Sequence, residues 1–411
     1  MNILIINHYA GSLALGKEFR PYYLAKEWIR HGHKVTIIAA DFSHARSIQP
    51  LVDSDLQCTN TDGINYVWIK TIKYRDSDLK RIFNMLMFTA KLLINYKKIV
   101  TLTEPEIVIA SSTYPLDIYP AYFIAKKSKA KLVFELHDLW PLSPMIIGNY
   151  SKYHPFIWVM QRAENFACRK SDCYISLLGN AKNYLIQHGL KNEKFCHIPN
   201  GFSNDKVDSS ELPIPDEHNA LLNKIRAGAR LIIGYTGGHE PSNALQSLVS
   251  ASNYFTDNQD IAFVMVGEGS RKNDLIKMVK AKSQKNIYFL PPVSKSMIPA
   301  VLNQFDILYA GGVKGILHSF GTSLNKITDY MLAEKPIIFA VDEPNSLVEK
   351  VGCGIRIPAE NETELIKTIE FLSKLTKEER SAMGKKGREY ALRELNYTSL
   401  AQKFIAAISQ S

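Results

Sequence analysis

Polar side chains crowd one short segment in the first half of the chain, Glu135-Leu-His137-Asp138-Leu-Trp140-Pro141. The segment follows an apolar run and has neither helical nor strand periodicity, which indicates a loop that carries a site rather than a packed element. A histidine beside an aspartate can act as an oriented hydrogen-bond donor near neutral pH. A purely structural histidine is the alternative. We take Glu135, His137 and Asp138 as candidate catalytic residues.

Glycines and a lysine in the second half of the chain have the chemistry to hold an anion. Gly237-Gly238-His239 follows an apolar run and precedes a helical pattern, where glycines let backbone N–H groups approach a phosphate. Lys326, Asp329 and Tyr330 are spaced to share one face of a later helix. The lysine would meet a phosphate, and the aspartate would accept hydrogen bonds from vicinal hydroxyls such as those of a ribose. The alternatives are a tight turn for the glycines and a lysine–aspartate pair on a solvated face.

Two further loops and the start of that helix add candidates for the same ligand. Thr322 or Ser323 is placed to cap the helix. Arg271 follows Gly267-Glu268-Gly269, and Val293 ends a Pro-containing segment that can present backbone groups to a planar base; a simple turn and a surface charge are the alternatives. The candidates for binding a phosphate and a ribose are Gly237, Gly238, His239, Arg271, Val293, Ser323, Asn325, Lys326 and Asp329.

Short β-rich runs alternate with helical patterns along the chain, and this rhythm places the candidates where strands end. The first series of predicted strands comprises 3–6, 35–39, 107–110, 131–135, 174–177 and 197–198. After a polar, Pro-containing connection at 204–230, the second series comprises 231–235, 262–266, 287–290, 307–310 and 336–340. This alternation predicts an α/β fold with mostly parallel sheets covered by helices, and such sheets bind ligands at the carboxyl ends of their strands.

Length and composition exclude several classes of protein. A chain of 411 residues suffices for two or three domains at roughly 150 residues each. Apolar residues at 46% and charged residues at 22% exclude disorder and collagen. The five cysteines are odd in number and scattered, which excludes a disulfide framework and a CxxC zinc site and fits a reducing cytosol. No metal site is predicted.

The charge balance and the apolar runs bear on partners and location. Fifty Lys and Arg against 40 Asp and Glu give a formal charge of +10, which suggests a nucleotide, a nucleic acid or a membrane surface as an anionic partner. Nucleic acid is least favoured because the basic residues lack interleaved aromatics. The N-terminal apolar run has no basic region before it and is interpreted as a strand, and no uncharged apolar run reaches the roughly 18 residues of a membrane span.

A basic helical segment, 79–100, contains five Lys or Arg and no acid. Its polar residues recur at helical spacing and form one stripe, comprising Lys80, Asn84, Lys91, Asn95 and Lys98. Such a helix can lie in a membrane interface, although burial against the sheet would explain many of the same apolar residues. Arg20 precedes Pro21 in the segment after the first strand, where it would line a site or simply start a helix. The candidates for membrane or acceptor contact are Arg20, Lys80, Arg81, Lys91 and Lys98.

Several motifs, taken in their order, resemble those of the retaining GT-B-fold glycosyltransferases of family 4. GHKVT at 32–36 resembles the family's GHEVT, IPNGF at 198–202 its IPNGV, VGEG at 266–269 its VGxG, and MGKKGREY at 383–390 its C-terminal helix. The segments EFRPYYLAKEW, FELHDLWP, NKITDYM and PIIFAV are similar to the bacterial subgroup that builds O-antigen and capsule units and includes N-acetyl-fucosamine transferases. The resemblance runs almost end to end.

The resemblance implies a fold and a reaction. The fold is GT-B, two Rossmann-like domains with parallel sheets that face a cleft: an acceptor domain at 1–203, a nucleotide-sugar domain at 204–383, and closing C-terminal helices at 384–411 that pack back toward the first domain. The reaction is transfer of a hexose or N-acetylhexosamine from a UDP-sugar to a lipid-linked saccharide, with retention and without a metal or another cofactor. The expected location is cytoplasmic, peripheral at the inner face of a bacterial cell membrane with an anionic surface.

The resemblance also assigns roles by position in this chain. Asp329 falls where the second glutamate of the family's E-x7-E motif holds the donor ribose, and the first glutamate, which contacts the donor sugar, would fall at Gly321 and is missing. Gly11 matches the family's N-domain glycine loop, and His137 matches the histidine near the donor sugar and the acceptor. Gly11 therefore joins the candidate catalytic residues.

The family's arginine and lysine after the first C-domain strand are absent from 237–243. Backbone amides with Lys326, Arg271 or Lys295 must then meet the charge of the pyrophosphate. Two alternatives stay open: a UDP-sugar epimerase on the same scaffold and, because the first glutamate is missing, a non-catalytic UDP-sugar-binding partner.

Overall fold

A computed structural model describes residues 1–16, 20–74, 78–204 and 212–410. By packing, the chain divides into two compact units, Met1–Gly201 with Tyr397–Ser411, and Phe202–Asn396. Glu18 and Phe19 of the EFRPYYLAKEW motif, and residues 205–211 of the predicted connection, lie outside the described residues.

The first unit contains an eight-stranded sheet. Its strands are β1 (Asn2–Ile6), β2 (Lys34–Ala40), β3 (Gln57–Thr61), β4 (Ile64–Ile69), β5 (Ile107–Ala110), β6 (Lys131–Leu136), β7 (Cys173–Ser176) and β8 (Phe195–His197), in the order β3-β4-β2-β1-β5-β6-β7-β8. All pairings are parallel except β3 with β4. The strands β5 and β7 are buried at every residue, as expected for parallel strands covered on both faces.

Six helices of the first unit follow its strands. They are α1 (Arg20–Arg30), α2 (Asp78–Thr103), α3 (Ile118–Ser128), α4 (Leu142–Ile147), α5 (Pro155–Lys170) and α6 (Lys182–Gln187). The chain leaves β1 toward β2 on one side and later reaches β5 on the other. The carboxyl ends of β1 and β5 therefore form a topological switch point, where loops diverge and leave a crevice.

The second unit contains a six-stranded, fully parallel sheet. Its strands are β9 (Leu231–Thr236), β10 (Ile261–Val266), β11 (Ile287–Leu290), β12 (Ile307–Gly311), β13 (Ile337–Ala340) and β14 (Gly354–Ile357), in the order β11-β10-β9-β12-β13-β14. Its helices are α7 (Asp216–Gly228), α8 (Gln246–Tyr254), α9 (Lys272–Ala281), α10 (Ile298–Asn303), α11 (Asn325–Leu332), α12 (Leu347–Val351), α13 (Glu362–Lys374) and α14 (Lys377–Tyr390). The switch point here lies between β9 and β12.

The last helix, α15 (Tyr397–Gln410), is part of the core of the first unit. Its Phe404 is fully buried against Trp28 of α1, and the Trp28 indole Nε1 donates to the Ala401 carbonyl at 3.1 Å. The predicted segment 384–411 is therefore divided, because α14 packs on α11 within the second unit while α15 packs on α1.

The predicted fold class is confirmed, since each unit is an α/β structure with a mostly parallel sheet. The predicted strands lie within two residues of the observed ones. The sequence analysis missed β3, β4 and β14. The strand β3, with the sequence QCTNT, is a polar edge with no fully buried residue, and it therefore lacks the apolar signal on which the prediction depended.

Candidate functional site

In the second unit, the backbones of the two loops that follow β9 and β10 lie very close to each other. Gly237 has a φ of +138°, and its N–H donates to the Val266 carbonyl at 3.0 Å. A Cβ on Gly267 would lie 1.9 Å from the Gly237 carbonyl oxygen, so any side chain there would force the two loops apart. The glycines that the sequence analysis singled out therefore hold two loops together at the edge of the sheet.

His239, the last residue of the Gly237-Gly238-His239 turn, has a buried side chain. Its N–H donates to the Glu268 carbonyl at 2.7 Å, and its buried ring lies near the rings of Tyr235 and Phe289, at centroid distances of 5.8 and 6.1 Å. Burial lowers the pKa of His239, which favours a neutral imidazole. His239 thus locks the Gly237-Gly238-His239 turn by packing and contributes no fixed charge to it.

Lys326 brings a positive charge to the same edge. Its Nζ donates to Asn243 Oδ1 at 2.8 Å and to Tyr235 Oη at 3.1 Å, and it lies 4.5 Å from the Tyr235 ring centroid. Within the described residues no carboxylate lies at ion-pair distance from this ammonium, so the alternative of a solvated Lys326–Asp329 pair does not hold. Burial lowers the pKa of Lys326 to about 8. A partly buried cation without a counterion favours the approach of an anion.

The helix that carries Lys326 is fixed to the end of β9. The Tyr330 hydroxyl accepts the Thr236 N–H at 3.0 Å, which ties α11 to that strand. The helix begins at Asn325 with Leu324 at its N-cap. The predicted cap by Thr322 or Ser323 is therefore wrong, because Leu324 occupies that position and the Thr322 hydroxyl donates to Glu343 at 2.6 Å instead.

The remaining donor candidates lie around this edge with differing exposure. Asp329 is partly buried one turn beyond Lys326, and Asn325 is exposed at the helix start. Arg271 occupies the N-cap position of α9 without a side-chain capping bond, and it pairs with Asp274 at 3.2 Å with half of its side chain exposed. Ser323 is partly buried between Thr322 and the helix, and Val293 packs its side chain against the core of the second unit.

In the first unit, Glu135 is the centre of a buried ion pair. Arg20 Nε donates to Glu135 Oε1 at 3.0 Å, and both side chains are 3% exposed. The other guanidinium nitrogens donate to the carbonyls of Ile198 and Pro199 at 3.0 and 2.6 Å. Burial alone would raise the pKa of Glu135, but Arg20 and hydrogen bonds from His137 and Ser111 outweigh it and lower the pKa to about 2. Glu135 is therefore a permanent carboxylate.

The same carboxylate orients His137. His137 Nε2 lies 3.2 Å from Glu135 Oε2 and 3.0 Å from Ser111 Oγ, and Ser111 Oγ donates to Glu135 Oε2 at 2.5 Å. Asp138 points elsewhere: its Oδ1 accepts the Leu139 N–H and the Ser143 hydroxyl. The structure therefore brings His137 and Glu135 together and gives Asp138 the task of fixing the turn into α4.

Gly11 and the basic candidates of the first unit differ from one another in burial and in partners. The buried Gly11 accepts the Tyr66 hydroxyl at 2.8 Å through its carbonyl. Arg20, placed among the membrane or acceptor candidates, is instead the buried partner of Glu135, because its helix α1 packs directly on the sheet. Lys91 pairs with Asp55 at 2.8 Å. Lys80 and Lys98 are exposed, and Arg81 is partly buried.

The helix α2 does not carry the single outward polar stripe that its sequence predicts. Asn84 is buried and donates to the Ile72 carbonyl at 2.6 Å. Large apolar side chains are exposed instead, namely Leu79, Phe83, Leu86, Ile94 and Leu102. We call the surface formed by these five side chains the apolar face of α2. No helix in the described part of the chain is long and apolar enough to cross a bilayer.

The sequence analysis missed several polar residues at the carboxyl edges of the two sheets. In the first unit, Asn7 and His8 follow β1 directly; Asn7 donates to the Ser111 carbonyl at 2.6 Å, and burial, with Arg46, lowers the pKa of His8 to about 3. Burial raises the pKa of Asp117 to about 7. In the second unit, the sequence analysis missed Tyr235 and Asn243, which accept hydrogen bonds from Lys326. It also missed the buried carboxylate of Glu343. Their position at strand ends was the signal available.

The sequence also contains Asp-x-Asp patterns at 53–55 and 76–78, which the prediction of no metal site passed over. Asp55 accepts the Lys70 N–H and pairs with Lys91. Residues 76 and 77 lie outside the described part of the chain. Within the described part, no three His, Cys, Asp or Glu side chains are grouped so that they could hold a metal ion.

Comparison with known proteins identifies the family. The profile of "Glycosyltransferase Family 4" matches residues 16–206, and that of "Glycosyl transferases group 1" matches residues 224–390. WcaI of Escherichia coli K12, described as a colanic acid biosynthesis glycosyl transferase, is 23% identical over 303 residues, which cover 69% of this chain and 68% of WcaI. The chain is a GT-B-fold glycosyltransferase of family 4.

Solved structures agree with the fold of this glycosyltransferase. Alr3699/HepE of Anabaena, in complex with UDP and glucose, superposes with a TM-score of 0.65 at 16% identity, over 100% of this chain and 99% of that chain. Sucrose-phosphate synthase of Thermosynechococcus elongatus gives a TM-score of 0.70 at 14% identity, over 99% and 98% of the two chains. At such identities the likeness shows the GT-B fold alone.

The buried Arg20–Glu135 pair makes a testable contribution to the stability of the glycosyltransferase. Glu135→Gln leaves a buried guanidinium without its carboxylate, and we expect the free energy of unfolding of the first unit to fall by about 3 to 5 kcal/mol. All four tryptophans lie in that unit, so urea denaturation followed by tryptophan fluorescence reports on it. The exposed Glu193→Gln is the matched control, with an expected change below about 0.5 kcal/mol.

The pH dependence of the same measurement has a definite sign. The folded pKa of Glu135, about 2, lies below the ordinary value of 4.5, so its contribution is complete above pH 4.5 and is lost as the pH falls toward 2. Glu135→Gln should lack this part of the acid dependence. An unfolding curve of the variant that matches Glu193→Gln would show that the pair does not hold this part of the fold.

Proposed function

We propose that this glycosyltransferase transfers a hexose or N-acetylhexosamine from a UDP-sugar to a lipid-linked saccharide, with retention of the anomeric configuration and without a metal ion. The observation that carries the proposal is the edge of the second unit. There a partly buried lysine lacks a carboxylate partner within the described residues, and its Nζ would lie 3.5 Å from a Cβ on Gly237 in the turn after β9. A diphosphate is the anion that such an edge accommodates, with the Asp329 carboxylate one helical turn away for the ribose hydroxyls.

The mechanism that fits these residues needs no protein base. Glu135 is held ionised by Arg20 and so is a poor proton donor, whereas a glycosidase needs one of its two carboxyl groups protonated. In the front-face route, the departing diphosphate oxygen takes the proton of the acceptor hydroxyl as the new glycosidic bond forms. Lys326 would stabilise the charge that develops on that diphosphate. His137, oriented by Glu135, would donate a hydrogen bond that positions the acceptor or the sugar.

The acceptor and the location belong to the same proposal. The family, the relative described as acting in colanic acid biosynthesis, and the similarity of motifs to the O-antigen and capsule subgroup support surface polysaccharide synthesis. In that pathway the acceptor is lipid-linked, and we place the enzyme at the inner face of the bacterial cell membrane. The apolar face of α2, flanked by the exposed Lys80 and Lys98, suits contact with an anionic surface.

A transfer assay tests the reaction. A panel of UDP-sugars is incubated with a lipid-pyrophosphate-linked saccharide in the presence of EDTA, UDP release is measured, and the anomeric configuration of the product is read by NMR. We expect UDP release that depends on the acceptor and a product with the donor's configuration. Isomerisation of a UDP-sugar without an acceptor would indicate an epimerase instead, and UDP binding without UDP release would indicate a binding partner.

The role of Lys326 is tested by the pH dependence of UDP binding. The ammonium binds the diphosphate only when protonated, so with a pKa of about 8 the UDP affinity of the wild type should fall as the pH rises from 7 to 9. The terminal phosphate of UDP is mostly ionised over this range because its second pKa is about 6, so its own titration would not weaken binding as the pH rises. Lys326→Met should weaken binding at pH 7 by at least about tenfold and remove the pH dependence.

Calorimetric titration of UDP into wild type, Lys326→Met and the exposed control Lys282→Met checks this expectation. The control should behave as the wild type at both pH values. If Lys326→Met bound UDP as the wild type does, the diphosphate would have to lie elsewhere.

Membrane contact through α2 is tested with vesicles. Lys80→Gln with Lys98→Gln should weaken binding to anionic vesicles by about 1 kcal/mol per lysine, or about 30-fold together, and should leave binding to neutral vesicles unchanged. Sedimentation of the protein with phosphatidylglycerol or phosphatidylcholine vesicles measures both. The double variant Lys282→Gln, Lys285→Gln, on exposed sites of the second unit, is the matched control. Equal loss in both double variants would assign the effect to net charge rather than to α2.

A further inference from the structure

Exposed apolar side chains are concentrated in one short segment of the first unit, from the end of α4 to the first turn of α5. They are Ile146, Ile147, Tyr153, Trp158 and Val159, which we call the α4–α5 patch. Ile147, Tyr153 and Trp158 are exposed to 76%, 81% and 54%. Large apolar groups that are exposed close together are typical of a surface that contacts a partner or a membrane.

The helix α5 holds part of this patch outward. The His154 ring, at the N-cap, accepts a backbone N–H of the first turn at 3.2 Å. The helix buries Ile157 and Met160 in the first unit. Trp158 and Arg162, one turn apart, therefore share the opposite, exposed side of the helix.

The helices around the patch carry many basic residues and almost no acid. The segments 79–103, 118–128 and 139–170, which contain α3, α4, α5 and nearly all of α2, hold eleven Lys or Arg and one acid, the buried Glu164. Their balance of +10 equals the formal net charge of the whole chain, so the remaining residues are neutral in sum. An anionic surface is the partner that this part of the first unit complements.

These helices are neighbours in one layer. The rings of Tyr96 and Phe123 join α2 to α3 at a centroid distance of 6.0 Å, and those of Tyr122 and Phe166 join α3 to α5 at 5.2 Å. The α4–α5 patch and the apolar face of α2 therefore belong to the same helical layer of the first unit.

The aromatic rings of the patch lie beside cations. The Arg162 guanidinium lies 4.0 Å from the Trp158 ring centroid, and Lys152 Nζ lies 5.1 Å from that of Tyr153. Such pairs suit the boundary between lipid headgroups and acyl chains, where the ring enters the apolar layer and the cation stays at the phosphates. A purely apolar protein surface would bury the two cations without a counterion, which is costly. The pairs therefore favour an anionic bilayer.

The patch also lies close to the residue assigned to the acceptor. Trp140 follows His137 by three residues, and its ring lies 6.1 Å from the ring of Phe156 in the first turn of α5. Trp158 follows Phe156 by two residues. A saccharide held at His137 therefore has the α4–α5 patch nearby to receive its lipid.

We propose that the α4–α5 patch inserts into the interface of an anionic bilayer and holds the enzyme where a lipid-linked acceptor reaches His137. This inference rests on the proposed function and adds an aromatic anchor to the contact proposed for α2. Ile147 and Trp158 supply the apolar insertion, and Lys152 and Arg162 contact the lipid phosphates.

Quenching by brominated lipid tests whether Trp158 enters the bilayer. Trp28 and Trp68 are buried and Trp140 is partly buried, so Trp158 carries the exposed indole among the four tryptophans. Phosphatidylglycerol vesicles with and without bromine on their acyl chains are added to the full chain and to Trp158→Phe. We expect bromine to quench the emission of the wild type and Trp158→Phe to lose most of this quenching. Vesicle binding without quenching, or quenching that persists in the variant, would overturn the inference.

Sedimentation with vesicles measures what the patch contributes to binding. Ile147→Ser with Trp158→Ser should weaken binding to phosphatidylglycerol vesicles at least about tenfold, because both changes remove apolar area that would enter the bilayer. Ile316→Ser with Phe371→Ser changes two similarly exposed residues of the second unit and should leave binding unchanged. Transfer to an acceptor embedded in vesicles should fall with binding, whereas transfer to a water-soluble acceptor analogue should stay the same.

The outcomes distinguish this inference from the proposed function. Unchanged vesicle binding, or an equal loss in the two double variants, would overturn the inference and leave the proposed reaction standing. Wild-type protein that inserts Trp158 into vesicles but transfers to no acceptor would overturn the proposed function and, with it, the part of the inference that concerns the acceptor. A dimer in gel filtration that Ile147→Ser with Trp158→Ser dissociates, without quenching by vesicles, would assign the patch to a second copy of this chain and overturn the inference.

Discussion

A charge taken out of water must be met by another charge or by well-placed dipoles, and both units of this glycosyltransferase are organised around that requirement. In the first unit the buried guanidinium of Arg20 forms an ion pair with Glu135 at the sheet edge. In the second unit, within the described residues, the ammonium of Lys326 contacts only a hydroxyl, an amide oxygen and an aromatic ring, and no carboxylate. The first arrangement is complete by itself. The second has no carboxylate within the described residues, which is why the proposed function assigns an anion to it.

This difference gives the two edges different tasks. The carboxylate of Glu135, kept ionised by its partner, holds His137 through one oxygen and Arg20 through the other. Such a network is rigid, and rigid hydrogen-bond donors suit the positioning of neutral sugar hydroxyls. The edge in the second unit is built from backbone and the single charge of Lys326, where Gly237 and Gly267 let two loops touch. It suits a diphosphate whose charge increases as the glycosidic bond breaks.

Departures from the family pattern become intelligible in these terms. The second unit lacks the family's arginine and lysine after its first strand, and Lys326 of α11 brings a cation to that edge, where Tyr235 of β9 and Asn243 of the loop after it accept its hydrogen bonds. A function that one segment has lost can be supplied by another because parallel strands bring all their carboxyl ends to one edge.

The sequence by itself determined the fold class, most strand positions and the loops at which chemistry is placed, because hydrophobic periodicity and glycine–proline punctuation are local signals. It named Glu135, His137, Gly237 and Lys326 correctly as residues at those edges. Tertiary structure alone decided which of them meet. Arg20 is separated from Glu135 by 115 residues and Thr322 from Glu343 by 21. Neither contact could therefore be predicted from the spacing of these residues along the chain. It also decided that Asn84 is buried while Phe83 and Ile94 of the same helix face outward, since burial depends on what packs against a helix and not on its own pattern.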